Sequence, residues 1–248
     1  MPGLAWLIAQ PFAHRGLHDA TAGVIENTFS AFAAAIAANY GIECDLQISG
    51  DGEAMVYHDD ALGRLTEGHG RLAEMSAADI KKARFKATSD RILRLSELCE
   101  MVGGRTPLLL ELKSHYDNDR RLAQRATDVL ANYPGPVALM SFDPAVVEVA
   151  RWIAPHLTRG IVAERHYAVH EWNRFSPAEK RRMAFLLHAK RTRPHFIAYG
   201  MKDLPALAPL IAHTVFQLPL LTWTVRSKAD QARAMRWADQ FIFEGIRP

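Results

Sequence analysis

Strand-like and helix-like runs alternate along almost the whole chain, and this alternation constrains the fold more than any other feature. Eight short apolar runs have the length and composition of buried strands. They cover residues 12–15, 41–49, 107–113, 137–142, 158–164, 195–201, 220–225 and 240–244. Helix candidates with apolar residues at helical spacing lie between them, at 27–38, 119–132, 144–153, 177–190, 204–213 and 228–238. Eight repeated strand–helix units predict an α/β fold, a (β/α)8 TIM barrel.

Two regions depart from the regular repeat. The connection between the second and third strands, at about 51–95, contains a further strand candidate (54–58), a Gly-rich turn (63–70) and a short helix candidate (76–83). A long connection of this kind predicts a small insertion on the barrel rim. The sequence stops at Pro248, just after the eighth strand, so we expect the eighth helix to be missing and the residues before Phe12 to cover the gap.

Length and composition bound the remaining possibilities. The 248 residues suffice for one barrel, and no Pro/Gly/Ser-rich linker divides them, so we expect a single domain over 1–248. The net charge of +3 is too balanced to indicate nucleic-acid binding. The two cysteines, Cys44 and Cys99, are too few for a disulfide framework and favour a reducing compartment. Since the first ten residues lack a basic region and a run long enough to span a bilayer, we expect a cytoplasmic protein without a transmembrane segment.

The second strand candidate carries two acidic residues, Glu43 and Asp45, within an apolar run. Strand side chains alternate between faces, so these two carboxylates project together. Burying two like charges side by side costs several kcal/mol unless a cation or a proton compensates. Glu111 and Lys113 repeat the same spacing on the third strand and place a third carboxylate beside the pair if the two strands are neighbours. Three carboxylates suit a hard cation, Mg²⁺ or Ca²⁺, better than zinc.

Histidines and further cations accompany the carboxylates at predicted strand ends. His14 lies in the first strand candidate, and His58 ends the extra strand of the insertion. Two histidines beside a bound anion can share the roles of general base and general acid near neutral pH. Arg15 and Lys113 add fixed positive charge suited to a phosphate. Because the carboxyl ends of barrel strands meet at one mouth, these residues together point to phosphoryl transfer.

At these residues the sequence resembles the glycerophosphodiester phosphodiesterase family. The resemblance covers nearly the whole chain, and the order and spacing of its motifs agree with the family pattern. The matching segments are His14-Arg15-Gly16, Glu26-Asn27-Thr28, Gly41-Ile-Glu43-Cys-Asp45, Asp51-Gly52, His58-Asp59, Glu111-Leu-Lys113 and Trp223-Thr-Val225. The resemblance implies a barrel with a small insertion after the second strand, as the strand–helix pattern indicates independently.

The resemblance also implies roles for the individual residues. Glu43, Asp45 and Glu111 would bind one divalent cation, and His14 and His58 would form the acid–base pair. We expect His14 to be the base and His58 the acid. Whether the attacking group is water or the glycerol hydroxyl of the substrate, through a cyclic phosphate, stays open.

The same resemblance names the substrate and its contacts. Arg15 and Lys113 would hold the phosphate, and Trp223 would line the glycerol side of the pocket. Family members cleave glycerophosphodiesters, which are small molecules, to glycerol 3-phosphate and an alcohol. The C-terminal end departs from the family pattern, in which Thr-Asp-x-Pro and a further helix close the eighth strand. Here Glu244 stands in that region and can supply the acidic group with a longer reach.

Simpler interpretations accompany several of these residues. Lys113 can be an ion-pair partner of Glu111, and Trp223 can be core packing. Glu26 fits bracing of the first loop or helix capping better than catalysis. The basic residues around 180–193 form either the solvated face of a helix or a patch that attracts a negatively charged substrate or makes weak contact with anionic membrane surfaces.

Two other functions compete with the main one. The first is a lysophospholipase D or phospholipase D-like activity on acylated lipids, which would use the same histidines and cation. The second is a catalytically silent phosphate-binding barrel. A silent barrel is expected to lose a histidine or a carboxylate, and this sequence retains all of them.

Overall fold

The computed structural model describes residues 3–168 and 170–248, and eight parallel strands close a barrel within them. The first strand pairs in parallel with both the second and the last strand, which completes the ring. The TIM-barrel prediction is therefore confirmed. The barrel strands are β1 (Phe12–Ala13), β2 (Gly41–Ile48), β5 (Leu108–Leu112), β6 (Val137–Ser141), β7 (Thr158–Ala163), β8 (Phe196–Gly200), β9 (Leu220–Val225) and β10 (Gln240–Phe243), with β3 (Ala54–Val56) and β4 (Leu93–Arg94) outside the ring.

Helices connect most of the barrel strands. Side-chain oxygens begin several of them by accepting a backbone N–H of the first turn, as Thr28, Asp143, Ser176 and Ser227 do. The helices are α1 (Trp6–Ala9), α2 (Phe29–Ala37), α3 (Ala77–Lys82), α4 (Leu95–Val102), α5 (Arg121–Leu130), α6 (Pro144–Ile153), α7 (Pro177–Ala184), α8 (Ala189–Thr192), α9 (Leu207–Thr214) and α10 (Lys228–Trp237).

Alternation along the strands separates an outer apolar layer from the barrel interior. On β2, Ile42, Cys44 and Leu46 belong to the core between strands and helices. Glu43 and Asp45 have the opposite parity and face inward. In the parallel pairing of β2 with β5, Asp45 lies opposite Glu111, so the three carboxylates come from two neighbouring strands.

An apolar plug fills the lower part of the barrel. It contains Phe12, Leu109, Phe196 and Ile242 from four strands, together with Leu7 of α1, all of them buried. The N-terminal segment therefore closes the bottom of the barrel rather than covering its side as expected. The charged residues are left to the upper half, at the carboxyl ends of the strands.

The insertion after β2 has a core of its own. β3 runs antiparallel to β2, and β4 runs antiparallel to β3. Met55, Tyr57, Ile80 and Phe85 pack together beneath this hairpin and α3. The insertion ends in α4, a helix that the sequence analysis did not predict.

Two other helix predictions need correction or completion. The predicted helix at 177–190 is broken into α7 and α8, because Leu186 adopts a left-handed conformation with φ of 55° and its side chain is buried. Within the described residues no helix follows β10, in agreement with the prediction. The outer side of β10 is covered by Ile246 and by Tyr40, whose hydroxyl donates to the carbonyl of Pro248 at 3.0 Å.

Among the described helices, none has the length and apolar character that a membrane crossing requires.

Candidate active site

Three carboxylates form the centre of the barrel mouth. Glu43 and Asp45 are each 1% exposed and Glu111 is 8% exposed. One oxygen from each carboxylate lies within 4.8 Å of the others, a spacing that allows the three to bind a common metal ion. The predicted grouping of these residues is present because the spacing within each strand and the β2–β5 register together fix it.

Burial and charge act in opposite directions on two of these carboxylates. Burial, with the nearby charges of Asp45 and Glu111, holds the pKa of Glu43 well above its ordinary value. Burial also disfavours ionisation of Asp45, yet the charges of Lys113 and Arg15 outweigh it and hold the pKa of Asp45 far below its ordinary value. The site therefore contains one carboxylate whose charge is compensated and one that lacks sufficient compensation.

The two predicted phosphate-binding cations are bound to these carboxylates. Lys113 Nζ lies 2.8 Å from Asp45 Oδ1 and 2.6 Å from Glu111 Oε1. Arg15 Nε lies 3.2 Å from Asp45 Oδ2, and Arg15 Nη1 donates to Glu26 Oε1 at 2.8 Å. Lys113 thus forms the ion pair that the simpler interpretation expected, and Glu26 braces the first loop through Arg15.

The loop after β1 is built for close approach to β2. Arg15 and Gly16 have positive φ values of 56° and 80°. A Cβ added to Gly16 would lie 2.9 Å from the backbone carbon of Ala31, so only glycine fits between this loop and α2. The resulting turn directs the Arg15 N–H to Glu43 Oε2 at 3.0 Å. The His-Arg-Gly motif therefore fixes the position of a carboxylate as well as supplying side chains.

Asn27 is a site residue to which the sequence analysis gave no role. Its side chain is 1% exposed, and Asn27 Nδ2 donates to Asp45 Oδ2 at 2.9 Å. The Asp45 N–H donates back to Asn27 Oδ1 at 3.3 Å. Its position in the Glu26-Asn27-Thr28 motif, directly before the helix cap, is the signal that could have identified it.

His14 is held by a carboxylate from the other end of the chain. His14 Nδ1 lies 2.5 Å from Glu244 Oε2, and Arg226 Nε donates to Glu244 Oε1 at 2.6 Å. Burial raises the pKa of Glu244, but His14 and Arg226 outweigh this and lower it to about 2. His14 Nε2 is directed toward the carboxylates, 3.9 Å from Glu43 Oε2.

His58 has a similar arrangement on the insertion. His58 Nδ1 lies 2.8 Å from Asp59 Oδ1, and Arg64 Nε donates to Asp59 Oδ2 at 2.6 Å. Despite the opposing effect of burial, His58 and Arg64 lower the pKa of Asp59 to about 2. Gln47 Nε2 donates to the His58 carbonyl at 2.9 Å and ties the hairpin to β2. Each histidine is thus oriented through Nδ1 by a carboxylate that an arginine holds.

Trp223 lies in the second half of β9, where its environment is largely aromatic. Its Nε1 donates to the carbonyl of Ala198 at 3.2 Å, and its ring meets Phe142 edge-on with centroids 5.4 Å apart. Phe142 in turn lies 5.2 Å from the ring of Trp172. The half-buried Trp223 therefore packs against the apolar interior of the barrel, as the simpler interpretation expected.

Comparison with known proteins identifies the family. The model of the glycerophosphoryl diester phosphodiesterase family matches residues 14–246. The chain belongs to this family. A glycerophosphodiester phosphodiesterase of Caldanaerobacter subterraneus subsp. tengcongensis is 27% identical over 234 residues, which are 90% of this chain and 88% of that protein. Family membership confirms the resemblance seen in the sequence and makes this family member a phosphoric diester hydrolase.

Solved structures agree on the fold. A phosphodiesterase of Oleispira antarctica, solved in complex with the product sn-glycerol-3-phosphate, has a TM-score of 0.78 at 19% identity and covers 94% of this chain and 92% of its own. A glycerophosphodiester phosphodiesterase of Thermotoga maritima has a TM-score of 0.71 at 20% identity, with 94% of each chain covered. These likenesses support the closed barrel of this family member.

The donor set fits a divalent cation. All three groups are carboxylates, which hard cations such as Mg²⁺ and Ca²⁺ prefer. Lys113 and Arg15 pair with Asp45, whereas the raised pKa of Glu43 shows that its negative charge needs further compensation. Glu43, Asp45 and Glu111 can therefore hold one cation in this member of the family.

Proposed function

We propose that the protein hydrolyses glycerophosphodiesters to glycerol 3-phosphate and an alcohol, with a divalent cation and a histidine pair. One observation carries the proposal: a buried three-carboxylate cluster lies at the same mouth as two histidines, each oriented by its own carboxylate–arginine pair. The family match supports the substrate class.

In the proposal, Glu43, Asp45 and Glu111 hold one cation, Mg²⁺ or Ca²⁺. When bound there, the cation supplies positive charge to the non-bridging oxygens of the phosphodiester. The like charge and the burial of the three carboxylates support this assignment, because hydrated surface carboxylates would not need such compensation.

Arg15 and Lys113 bind phosphate oxygens with the donors that their ion pairs leave. An ammonium has three N–H donors, and the described contacts of Lys113 with Asp45 and Glu111 use two of them. A guanidinium has five, and the contacts of Arg15 with Glu26 and Asp45 involve Nη1 and Nε. Both side chains can therefore keep their structural pairs while they contact the substrate. Trp223 lines the glycerol side.

His14 acts as the general base and His58 as the general acid. His14 Nε2 faces the carboxylate cluster, so it is well placed to take a proton from the attacking hydroxyl. His58 lies on the insertion, and its side chain is 28% exposed, which suits protonation of an alcohol that leaves toward solvent. Glu244 accepts from Nδ1 of His14, and Asp59 accepts from Nδ1 of His58. Each carboxylate thereby holds its imidazole in one tautomer and leaves Nε2 for proton transfer.

The test is release of glycerol 3-phosphate from glycerophosphocholine, measured with and without a chelator. We expect activity to require Mg²⁺ or Ca²⁺ and to fall at least about 100-fold in His14→Ala and in His58→Ala. A ³¹P spectrum during turnover would show a cyclic phosphate if the glycerol hydroxyl attacks. Full activity in chelator, or unchanged turnover in either histidine variant, would refute the mechanism.

The same assay decides between the competing functions. Turnover of lysophosphatidylcholine but not of glycerophosphocholine would favour a lysophospholipase D activity. Phosphate-ester binding without turnover of either compound would favour a silent barrel. The intact set of carboxylates and histidines supports an active enzyme.

Two further parts of the proposal concern the chain as a whole. We take residues 1–248 as one catalytic domain, because β1 pairs with β10 and the barrel needs both ends of the sequence. Limited proteolysis that releases a stable fragment smaller than the barrel would contradict this.

A cytoplasmic location agrees with two free thiols, Cys44 and Cys99, and fractionation of the source cells tests it.

A further inference from the structure

Two segments of the outer layer carry positive charge without any acidic residue. Residues 180–193 contain six Lys and Arg side chains and no Asp or Glu, and residues 149–163 contain two arginines and no Asp or Glu. The entire chain has a net charge of only +3. The two segments together have a local excess of eight positive charges, so the rest of the chain is net negative; Arg159 is buried, and neither segment contributes to the catalytic site.

The fold brings the two segments together. The Arg151 guanidinium, near the end of α6, donates to the carbonyl of Arg191 in α8 at 2.6 Å. Arg191 Nε also lies 3.0 Å from Glu148 of α6. Since α6 ends just before β7 and α8 ends just before β8, the shared surface lies toward the amino ends of the barrel strands, away from the mouth.

We call this surface the basal patch and define it by Arg151, Trp152, Leu187, Lys190, Arg191 and Arg193. Trp152 is 67% exposed and Leu187 is 64% exposed, although both are large apolar side chains. Arg151 lies over the Trp152 ring at 4.6 Å from its centroid, and Lys190, Arg191 and Arg193 are exposed. The patch thus combines apolar side chains that protrude into solvent with cations, of which Arg191 is paired with Glu148 and the others have no acidic partner among the ion pairs of the described residues.

We propose that the basal patch docks the protein on the surface of an anionic lipid bilayer. The Lys and Arg side chains of the patch can pair with negative lipid headgroups. The exposed Trp152 and Leu187 side chains fit the boundary between headgroups and acyl chains. A protein partner would have to supply acidic groups matched to these cations one by one, and a nucleic acid would leave the protruding Trp152 and Leu187 without an apolar partner, whereas an anionic bilayer supplies both components at once. The bilayer is therefore the occupant that matches both components of the patch.

The test is sedimentation of the full-length protein with phosphatidylcholine vesicles, with and without about 30% phosphatidylglycerol. We expect binding to the anionic vesicles only, and weaker binding at high salt. Each cation near an anionic surface contributes about fivefold to partitioning, so Lys190→Gln with Arg193→Gln is expected to weaken binding roughly 10- to 30-fold. Lys82→Gln with Arg120→Gln removes the same charge from exposed positions outside the patch and is expected to leave binding unchanged.

The apolar component has its own matched control. Leu187→Ser is expected to weaken vesicle binding several-fold, whereas Leu207→Ser, at a residue 67% exposed near the start of α9, is expected to leave it unchanged. A far-ultraviolet circular dichroism melt shows that each variant is folded. The proposal is overturned if the wild type binds neither vesicle or both equally, if the control pair weakens binding as much as the patch pair, or if the patch variants change only self-association in ultracentrifugation.

Discussion

Replacing Glu43 by glutamine is expected to stabilise the protein in chelator and to remove its thermal response to divalent cations. The Glu43 side chain is 1% exposed, and its carboxylate lies within 4.8 Å of those of Asp45 and Glu111. At that distance and an effective dielectric constant of 20, each like-charge pair costs about 3 kcal/mol. The pairs that Lys113 and Arg15 form offset part of this cost, so we expect Glu43→Gln to raise the free energy of unfolding by about 1–3 kcal/mol.

Glutamine keeps the shape of the site and its one backbone contact. Its side-chain oxygen can still accept the Arg15 N–H that Glu43 accepts at 3.0 Å, and its amide can donate to a neighbouring carboxylate. The gain depends on pH, because the pKa of Glu43 is raised in the fold. The stability that protonated Glu43 gives the wild type is fully present below the ordinary pKa of glutamate and is lost as pH rises through the raised pKa of the folded state. The stability advantage of Glu43→Gln over the wild type therefore grows with pH.

The assay is a pair of thermal unfolding scans, one in chelator and one in saturating Mg²⁺ or Ca²⁺. In chelator the variant should melt roughly 3–10 °C above the wild type. At about 100 times the dissociation constant, a cation adds about 2.7 kcal/mol to the wild type, and the variant should gain much less, so most or all of the variant's advantage should disappear. Glu53→Gln, which breaks a pair with Arg125 far from the site, controls for loss of a glutamate. A variant that melts lower in chelator, or that keeps the full cation shift, would refute the reasoning.

Three further predictions concern the support of the site. Glu244→Gln is expected to lower kcat by roughly 100- to 10,000-fold with little change in KM, because the carboxylate that fixes the His14 tautomer is lost; steady-state kinetics check this, and an unchanged kcat would count against it. The pKa of Glu244 is lowered to about 2, so ionised Glu244 contributes about 1–2 kcal/mol to the free energy of unfolding, after allowance for solvent screening. This contribution is present above about pH 4.5 and is lost as pH falls toward 2. The free energies of unfolding of the wild type and of Glu244→Gln, measured in urea, should therefore converge at low pH. Gly16→Ala is expected to cost about 2–4 kcal/mol in urea unfolding, against about 1 kcal/mol for Gly52→Ala, which has positive φ but open space around it; equal costs would refute the packing argument.

Local patterns predicted the parts of the site that lie within single strands. The same-face arrangement of Glu43 and Asp45 follows from strand periodicity alone, and the place of Glu111 beside them follows once β2 and β5 are neighbours. The contacts that orient the histidines were not predictable in this way. His14 and Glu244 are 230 positions apart, and only the closure of the ring between β1 and β10 brings them together.

The errors in the helix predictions have a related cause. Apolar spacing predicted one helix over 177–190, but the chain turns at Leu186 because burying that side chain outweighs helix continuation. The missed helix α4 has its own local signals, with Leu95, Leu98 and Val102 at helical spacing and Glu97 capping its start, but it is only eight residues long and its packing against the core supports it. Long-range packing decided these elements, and a single sequence records it weakly.

Docking through the basal patch would decide which substrates can reach the mouth. The basal patch lies toward the amino ends of the barrel strands and the carboxylate cluster toward their carboxyl ends, a separation on the order of 20 Å. A protein docked through the patch would therefore hold its mouth toward water. Such an orientation gives access to deacylated, water-soluble diesters and removes the mouth from lipids whose acyl chains stay in the same bilayer. Anionic vesicles should thus leave the rate on glycerophosphocholine unchanged without promoting turnover of lysophosphatidylcholine embedded in them, and vesicle-stimulated cleavage of the embedded lipid would show that the mouth, not the patch, faces the membrane.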